Sequence, residues 1–144
     1  MFTRIALRVV ITMCVLVYAG TALAQGKVQN YFNDAACKVK ATSDPSQKRE
    51  ILNNSFDNMS KALDTVRNSA LVSTTDRAGI DRVTAALQEK QDELAGTNGF
   101  TRVPDAQLNA FSDYVVQDME QADQVVTISL VVLLLIIILV VLLV

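Results

Sequence analysis

The sequence predicts an all-α protein: a small antiparallel bundle of three to four helices whose last helix continues into a C-terminal transmembrane helix. Three observations carry that prediction. Apolar blocks, Ile5 to Ala19 and Val125 to Val144, stand near the two ends of the 144-residue chain. Between them apolar residues recur every three or four positions, and no period-2 strand pattern or internal repeat competes. The periodic stretches are punctuated by residues that start and stop helices, such as Asp44-Pro45, Gly96 and Pro104-Asp105.

The first block reads as an export signal. Arg4 and Arg8 precede an apolar run from Val9 to Ala19, and small residues lead to Ala22-Leu23-Ala24 before Gln25. The run is too short to span a bilayer comfortably, and alanine at the first and third positions before Gln25 suits a signal peptidase pocket. Residues 1–24 are therefore expected to be a cleaved signal peptide. A lipoprotein signal fits less well, because Ile11-Thr12-Met13 before Cys14 lacks small residues. The Ala-Leu-Ala-Gln junction has a bacterial look.

At the other end, Val125 to Val144 is 20 residues with only Thr127 and Ser129 polar. As a helix it would reach about 30 Å, enough to cross a hydrocarbon core. Behind an export signal such a segment acts as a stop-transfer anchor, with Val144 at the cytoplasmic boundary. Residues 25–124 are then expected to be an extracytoplasmic helical domain and 125–144 its single-pass transmembrane anchor.

The first helix of the domain carries Val28, Phe32, Ala35 and Val39 on one face. The second starts at Asp44-Pro45-Ser46-Gln47, where Asp44 can cap free amides and Pro45 sits where a missing donor costs nothing. Leu52, Phe56, Met59, Leu63, Val66 and Ala70 follow as a heptad-like seam. The third begins near Ser73-Thr74-Thr75-Asp76, carries Ile80, Val83, Leu87 and Leu94, and ends at Gly96. Its seam has a gap at Lys90 and Gln91. The fourth starts at Pro104-Asp105 with Leu108, Phe111, Val115, Met119, Ala122 and Val126, a stripe that enters the apolar block without a Gly or Pro break. One continuous helix from Asp105 to Val144, roughly 60 Å long, is expected. The first helix is the weakest, so a three-helix bundle with a loosely docked first helix is the alternative.

Chemistry is sparse. The chain has no His, which excludes Ser-His-Asp and Cys-His nucleophilic catalysis and His-containing metal sites. There is no phosphate-binding Gly loop, no Cys pair at metal spacing and no Gly-x-Ser-x-Gly elbow, so no cofactor, metal or enzymatic activity is expected. Asn53-Asn54-Ser55 and Asn58-Met59-Ser60 match the glycosylation pattern, accidentally in a bacterial protein. Asp57 with Lys61, Asp64 with Arg67 and Arg77 with Asp81 have the spacing of solvated intrahelical ion pairs. Asp105, Asp113, Asp118, Glu120 and Asp123 follow one another without a base, which reads as a polar outer face. With 13 bases against 15 acids, and Arg4 and Arg8 lost with the signal, nothing suggests nucleic acid as a partner.

Two features remain as candidate sites. Removal of Cys14 with the signal leaves Cys37 as the one cysteine of an exported chain, and the helical pattern places it away from the core. It is a candidate for an intermolecular disulfide or a reactive thiol, with Lys38 and Lys40 favouring its thiolate. The antiparallel order would also gather Lys38, Lys40, Lys48, Arg49 and Arg102 at the membrane-distal tip, with Phe100 beside them, as a contact surface for an acidic protein or a polyanionic envelope polymer. These observations imply a non-enzymatic, membrane-tethered interaction or structural module on the extracytoplasmic face of a bacterial membrane. Its expected partners are the lipid bilayer, an envelope protein or polyanion, and a second copy in a homodimer. A thiol-based redox or stress-sensing protein acting through Cys37 is the alternative.

Overall fold

The computed structural model describes residues 27–125 and 130–143, and every regular element among them is helical. Five α-helices follow one another: α1 (Lys27–Ala41), α2 (Pro45–Arg67), α3 (Thr74–Ala95), α4 (Leu108–Val125) and α5 (Leu130–Leu143), with a 3-10 turn (Asp105–Gln107) leading into α4. The export signal, its cleavage site and residues 126–129 lie outside the described residues.

Local chemistry sets the helix ends. The Asp44 carboxylate accepts a hydrogen bond from the Ser46 amide at 2.9 Å, and Pro45 occupies the first turn of α2. Ser73 caps α3 by accepting from the Asp76 amide at 3.1 Å. Gly96 closes α3 in the left-handed conformation at φ 74°, and its amide returns to the Asp92 carbonyl. A side chain at this position would also collide with Arg102, whose backbone nitrogen lies 2.6 Å from the ideal Cβ. Asp92 accepts further bonds from Thr97 and Asn98, fixing the path of the loop toward α4.

Helices α1 to α4 form an up-down-up-down bundle around a core that includes Phe32, Phe56, Leu63, Val83, Leu87, Leu108, Phe111 and Met119. All four stripe residues of α1 are buried and the Phe32 and Phe56 rings meet at 5.6 Å, so α1 is an integral fourth helix rather than a loose appendage. The seam of α2 is buried from Leu52 to Val66, whereas Ala70 is exposed beyond the helix end. The α1–α2 and α3–α4 connections share one end of the bundle, as expected, since Arg49 at the start of α2 reaches the backbone of both Leu94 and Val103.

The expected single helix from Asp105 to Val144 is not what forms. α5 lies against α2 and, more lightly, α1, and it runs antiparallel to α2. Ile137 and Val140 share a cavity with Met59, while Leu143 lies with Ile51 and Asn54 one to two turns nearer the start of α2. α4 runs parallel to α2, so α4 and α5 point in opposite directions. The cause is apolar burial: Val132, Ile136 and Val140 form an i, i+4, i+8 stripe that the outer face of α1 and α2 can cover. Because the segment is apolar on every side, its sequence carries no period that reveals which stripe docks. Among the described residues no helix is long and apolar enough to cross a membrane.

Candidate functional site

The acids of α4 and of the 3-10 turn before it lie mostly on an exposed face, as expected, but three of them are paired. Each neighbouring helix supplies a base to one of them. Lys40 at the end of α1 pairs with Asp113, Arg49 of α2 pairs with Asp105 at 2.7 Å, and Lys90 of α3 pairs with Asp118 at 2.7 Å. This keys α4 to all three partners and makes its register specific as well as apolar.

Lys90 is the most buried of these bases, with 1% of its side chain exposed. It stands where the third seam lacks an apolar residue, and its aliphatic stem fills that place in the core. The ammonium donates to Glu93 Oε1 at 2.5 Å and to the Tyr114 hydroxyl at 2.7 Å, in addition to Asp118, and lies 4.1 Å from the centre of the Tyr114 ring. Burial alone would lower the lysine's pKa. The bonds to Asp118, Glu93 and Tyr114 outweigh it and hold the amine well above the ordinary lysine range. A lysine so held stays charged and bridges α3 to α4 through Asp118 and Tyr114.

The sequence pattern held the signal for this cluster in two halves: a lone base at a heptad core position, and a run of acids without a base on a neighbouring helix. The pairing of Asp118 and Tyr114 with Lys90 goes unnoticed in the sequence because only the α3–α4 register brings them together. Arg67 and Asp81 likewise pair with each other across the α2–α3 junction rather than along their own helices, which raises the pKa of the guanidinium and lowers that of the carboxyl. Asp57 accepts from Gln91 of α3 at 3.0 Å.

Of the bases expected at the tip, several are engaged within the bundle. The guanidinium of Arg49 donates to Asp105, to the Leu94 carbonyl at 3.3 Å and to the Val103 carbonyl, tying both tip connections to α2. Lys48 donates to Asn109 at 2.7 Å, and Lys40 is held by Asp113. Lys38 and Arg102 are exposed, and Phe100 is 40% exposed in the loop. Cys37 is half-buried on α1, neither in the core nor on the open surface.

A second feature was not visible in the sequence. Between α1 and α2, under the C-terminal half of α5, runs a groove lined by Tyr31, Asp34, Lys38, Asn54 and Asn58 together with Val140 and Val141. Next to it, a cavity of about 260 Å³ lies between Asn30, Tyr31, Asp34 and Met59 on one side and Ile137, Val140 and Val141 on the other. Burial raises the pKa of Asp34 against the opposing pull of Lys38, and burial raises that of Tyr31 against hydrogen bonds with Ser55 and Asn58. Polar groups of the bundle thus face the aliphatic side chains of α5.

No protein-family model, no curated protein and no solved structure matches the chain.

Proposed function

We propose that this chain is a non-enzymatic interaction or structural module, exported through its N-terminal signal and tethered by residues 125–144 to the extracytoplasmic face of a bacterial membrane. One observation carries the reading. α5 is aliphatic all round; the bundle buries Val132, Ile136 and Val140 and half-buries Leu135 and Leu139, while Leu134, Ile138, Val141, Leu142 and Leu143 stay exposed. A helix of this composition belongs in a core or in lipid.

The exposed aliphatic face favours lipid, since the two burial energies are similar in size. Burying Val132, Ile136 and Val140 on the bundle is worth about 5–9 kcal/mol, to which half-buried Leu135 and Leu139 add. Transferring the Val, Leu and Ile residues of 125–144 to a bilayer, at about −0.3 to −0.6 kcal/mol each, is worth about 5–10 kcal/mol and leaves no apolar face in water. The bundle would then act as a rigid ectodomain. Lys38, Arg102 and Phe100 are the parts of its tip open to an acidic protein or polyanion, and Lys40 and Lys48 add partly engaged charge.

The test is a topology reporter, active only in the cytoplasm, fused after Lys90. The reading expects silence, and a strong cytoplasmic signal would sink it. The reading through Cys37 draws on the partial exposure of that thiol. Cys37→Ser separates the two: a scaffold keeps its function, and a thiol sensor loses it.

A further inference from the structure

We propose that the turn between α2 and α3 is a second membrane contact: Leu71 and the uncharged stretch around it enter the headgroup and outer acyl layer of a phospholipid bilayer. The inference rests on the membrane reading above and adds a surface to it, since an anchor alone leaves the orientation of the bundle open.

The turn lies at the end of the bundle where α4 meets the anchor segment, and it projects beyond α4. Lys90 and Asp118 meet at 2.7 Å, which sets α3 and α4 level at these residues. From Lys90 back to Thr74, the start of α3, is 16 residues, about 24 Å of helix. From Asp118 to Val125, the end of α4, is 7 residues, about 10 Å. The start of α3 therefore stands roughly 13 Å past the end of α4. The pairing of Arg67 with Asp81 places the end of α2 short of Thr74 as well, so the turn is the outermost part of this end. A hydrocarbon core is flanked on each side by a headgroup layer of about 5–8 Å, and a bundle standing on residues 125–144 drives the turn through that layer.

The residues of the turn suit that depth. From Asn68 to Thr75 the chain carries no charged side chain. Leu71 is 81% exposed, more than any other large apolar side chain among the described residues, and Ala70 beside it is exposed too. The turn that presents them is fixed. Val72 is buried, its amide donates to the Ser69 carbonyl at 3.4 Å, and the Leu71 amide donates to the Ser69 hydroxyl at 3.3 Å. Asp76, the acid that follows, is buried, whereas Arg77 is exposed and donates to the Ser69 carbonyl at 3.4 Å, a cation beside the leucine at the level of the headgroup phosphates. One leucine buries too little area to hold a separate protein partner. Beside an anchor it acts as the second of two linked contacts, where a small apolar gain is enough.

The test uses the full chain with Cys14→Ser, Cys37→Ser and a single new cysteine carrying an environment-sensitive fluorophore, reconstituted in phosphatidylcholine vesicles brominated in the upper acyl chain. Thr75→Cys, exposed beside the turn, reports on the contact with Leu71 in place, and Thr101→Cys, exposed at the opposite end of the bundle, is the control. Bromine quenching at position 75 should exceed that at position 101 at least about threefold, and Leu71→Asp should remove most of the difference. Incorporation into vesicles with no excess quenching at position 75, or with an excess that Leu71→Asp leaves unchanged, overturns the contact and leaves the tether standing. Failure to incorporate overturns both. If Leu71→Asp lowers helicity, Leu71→Ser is judged by the same criterion.

Discussion

Replacing Lys90 by Met keeps most of the aliphatic stem in the core and removes only the ammonium. Asp118, Glu93 and Tyr114 then converge on a site without a cation. Breaking a fully buried pair costs about 3–5 kcal/mol, because the surviving charge is stranded. Here Asp118 and Glu93 remain 29% and 18% exposed, so water can partly replace the lost partner, and the expected cost is about 2–3 kcal/mol. With a urea slope of about 1.5 kcal/mol/M for a chain of this size, the unfolding midpoint followed by far-ultraviolet circular dichroism should fall by about 1.5 M. Adding Asp118→Asn should restore part of the loss, since it removes one stranded acid, and the double-mutant cycle should report a coupling of about 1 kcal/mol or more. A midpoint within experimental error of wild type for Lys90→Met would refute the assignment of this cluster as the register lock between α3 and α4.

Three further outcomes follow from the same geometry. Arg49→Leu should destabilise the bundle by about 1–3 kcal/mol in urea unfolding, because two backbone carbonyls and Asp105 lose one donor, whereas an Arg49 acting only as solvated tip charge would give no change. Gly96→Ala should cost about 1–3 kcal/mol, since α3 ends at φ 74° and a methyl group there meets Arg102, and an unchanged thermal midpoint would contradict that close approach. Asp34 has a folded-state pKa above its ordinary value of 3.8, so the folded protein binds its proton more tightly than the unfolded chain. Its contribution therefore turns unfavourable as pH rises from 3.8 through the raised value, even with Lys38 and Tyr31 as its ionisable neighbours in the groove. Asp34→Asn should gain stability over wild type near neutrality and show little gain below 3.8, and the opposite pH trend would reverse the sign.

Periodicity carried most of the bundle because each of its four helices has one apolar stripe and one polar face. Val28, Phe32, Ala35 and Val39 on α1, and Leu108, Phe111, Val115 and Met119 on α4, could be assigned to the core from spacing alone, and all are buried. The helix ends at Asp44, Ser73 and Gly96 were legible because capping is local chemistry. α5 was not legible, since a helix apolar on every side has no phase to read, and its docking depends on what the outer face of α2 offers. The electrostatics were legible only in part. Spacing proposed Arg77 with Asp81 and Asp64 with Arg67 along single helices; Asp64 does act on Arg67 through its charge, but the packed α2–α3 register makes Asp81 the direct partner of Arg67. Lys90 was seen as a gap in the seam, and its meaning lay in Asp118 on another helix. Arg49 was expected as free charge at the tip, yet the convergence of two loops on its guanidinium makes it a structural tie.

Whether residues 125–144 hold the bundle in a membrane can be read from alkaline carbonate extraction. Two chains should be compared in the same cells, the complete one and one stopped after Gln124. Carbonate strips peripheral proteins and leaves helices that are inserted in the bilayer. The complete chain should stay in the membrane pellet and the shortened chain should be released. Release of the complete chain into the carbonate supernatant would contradict the tether.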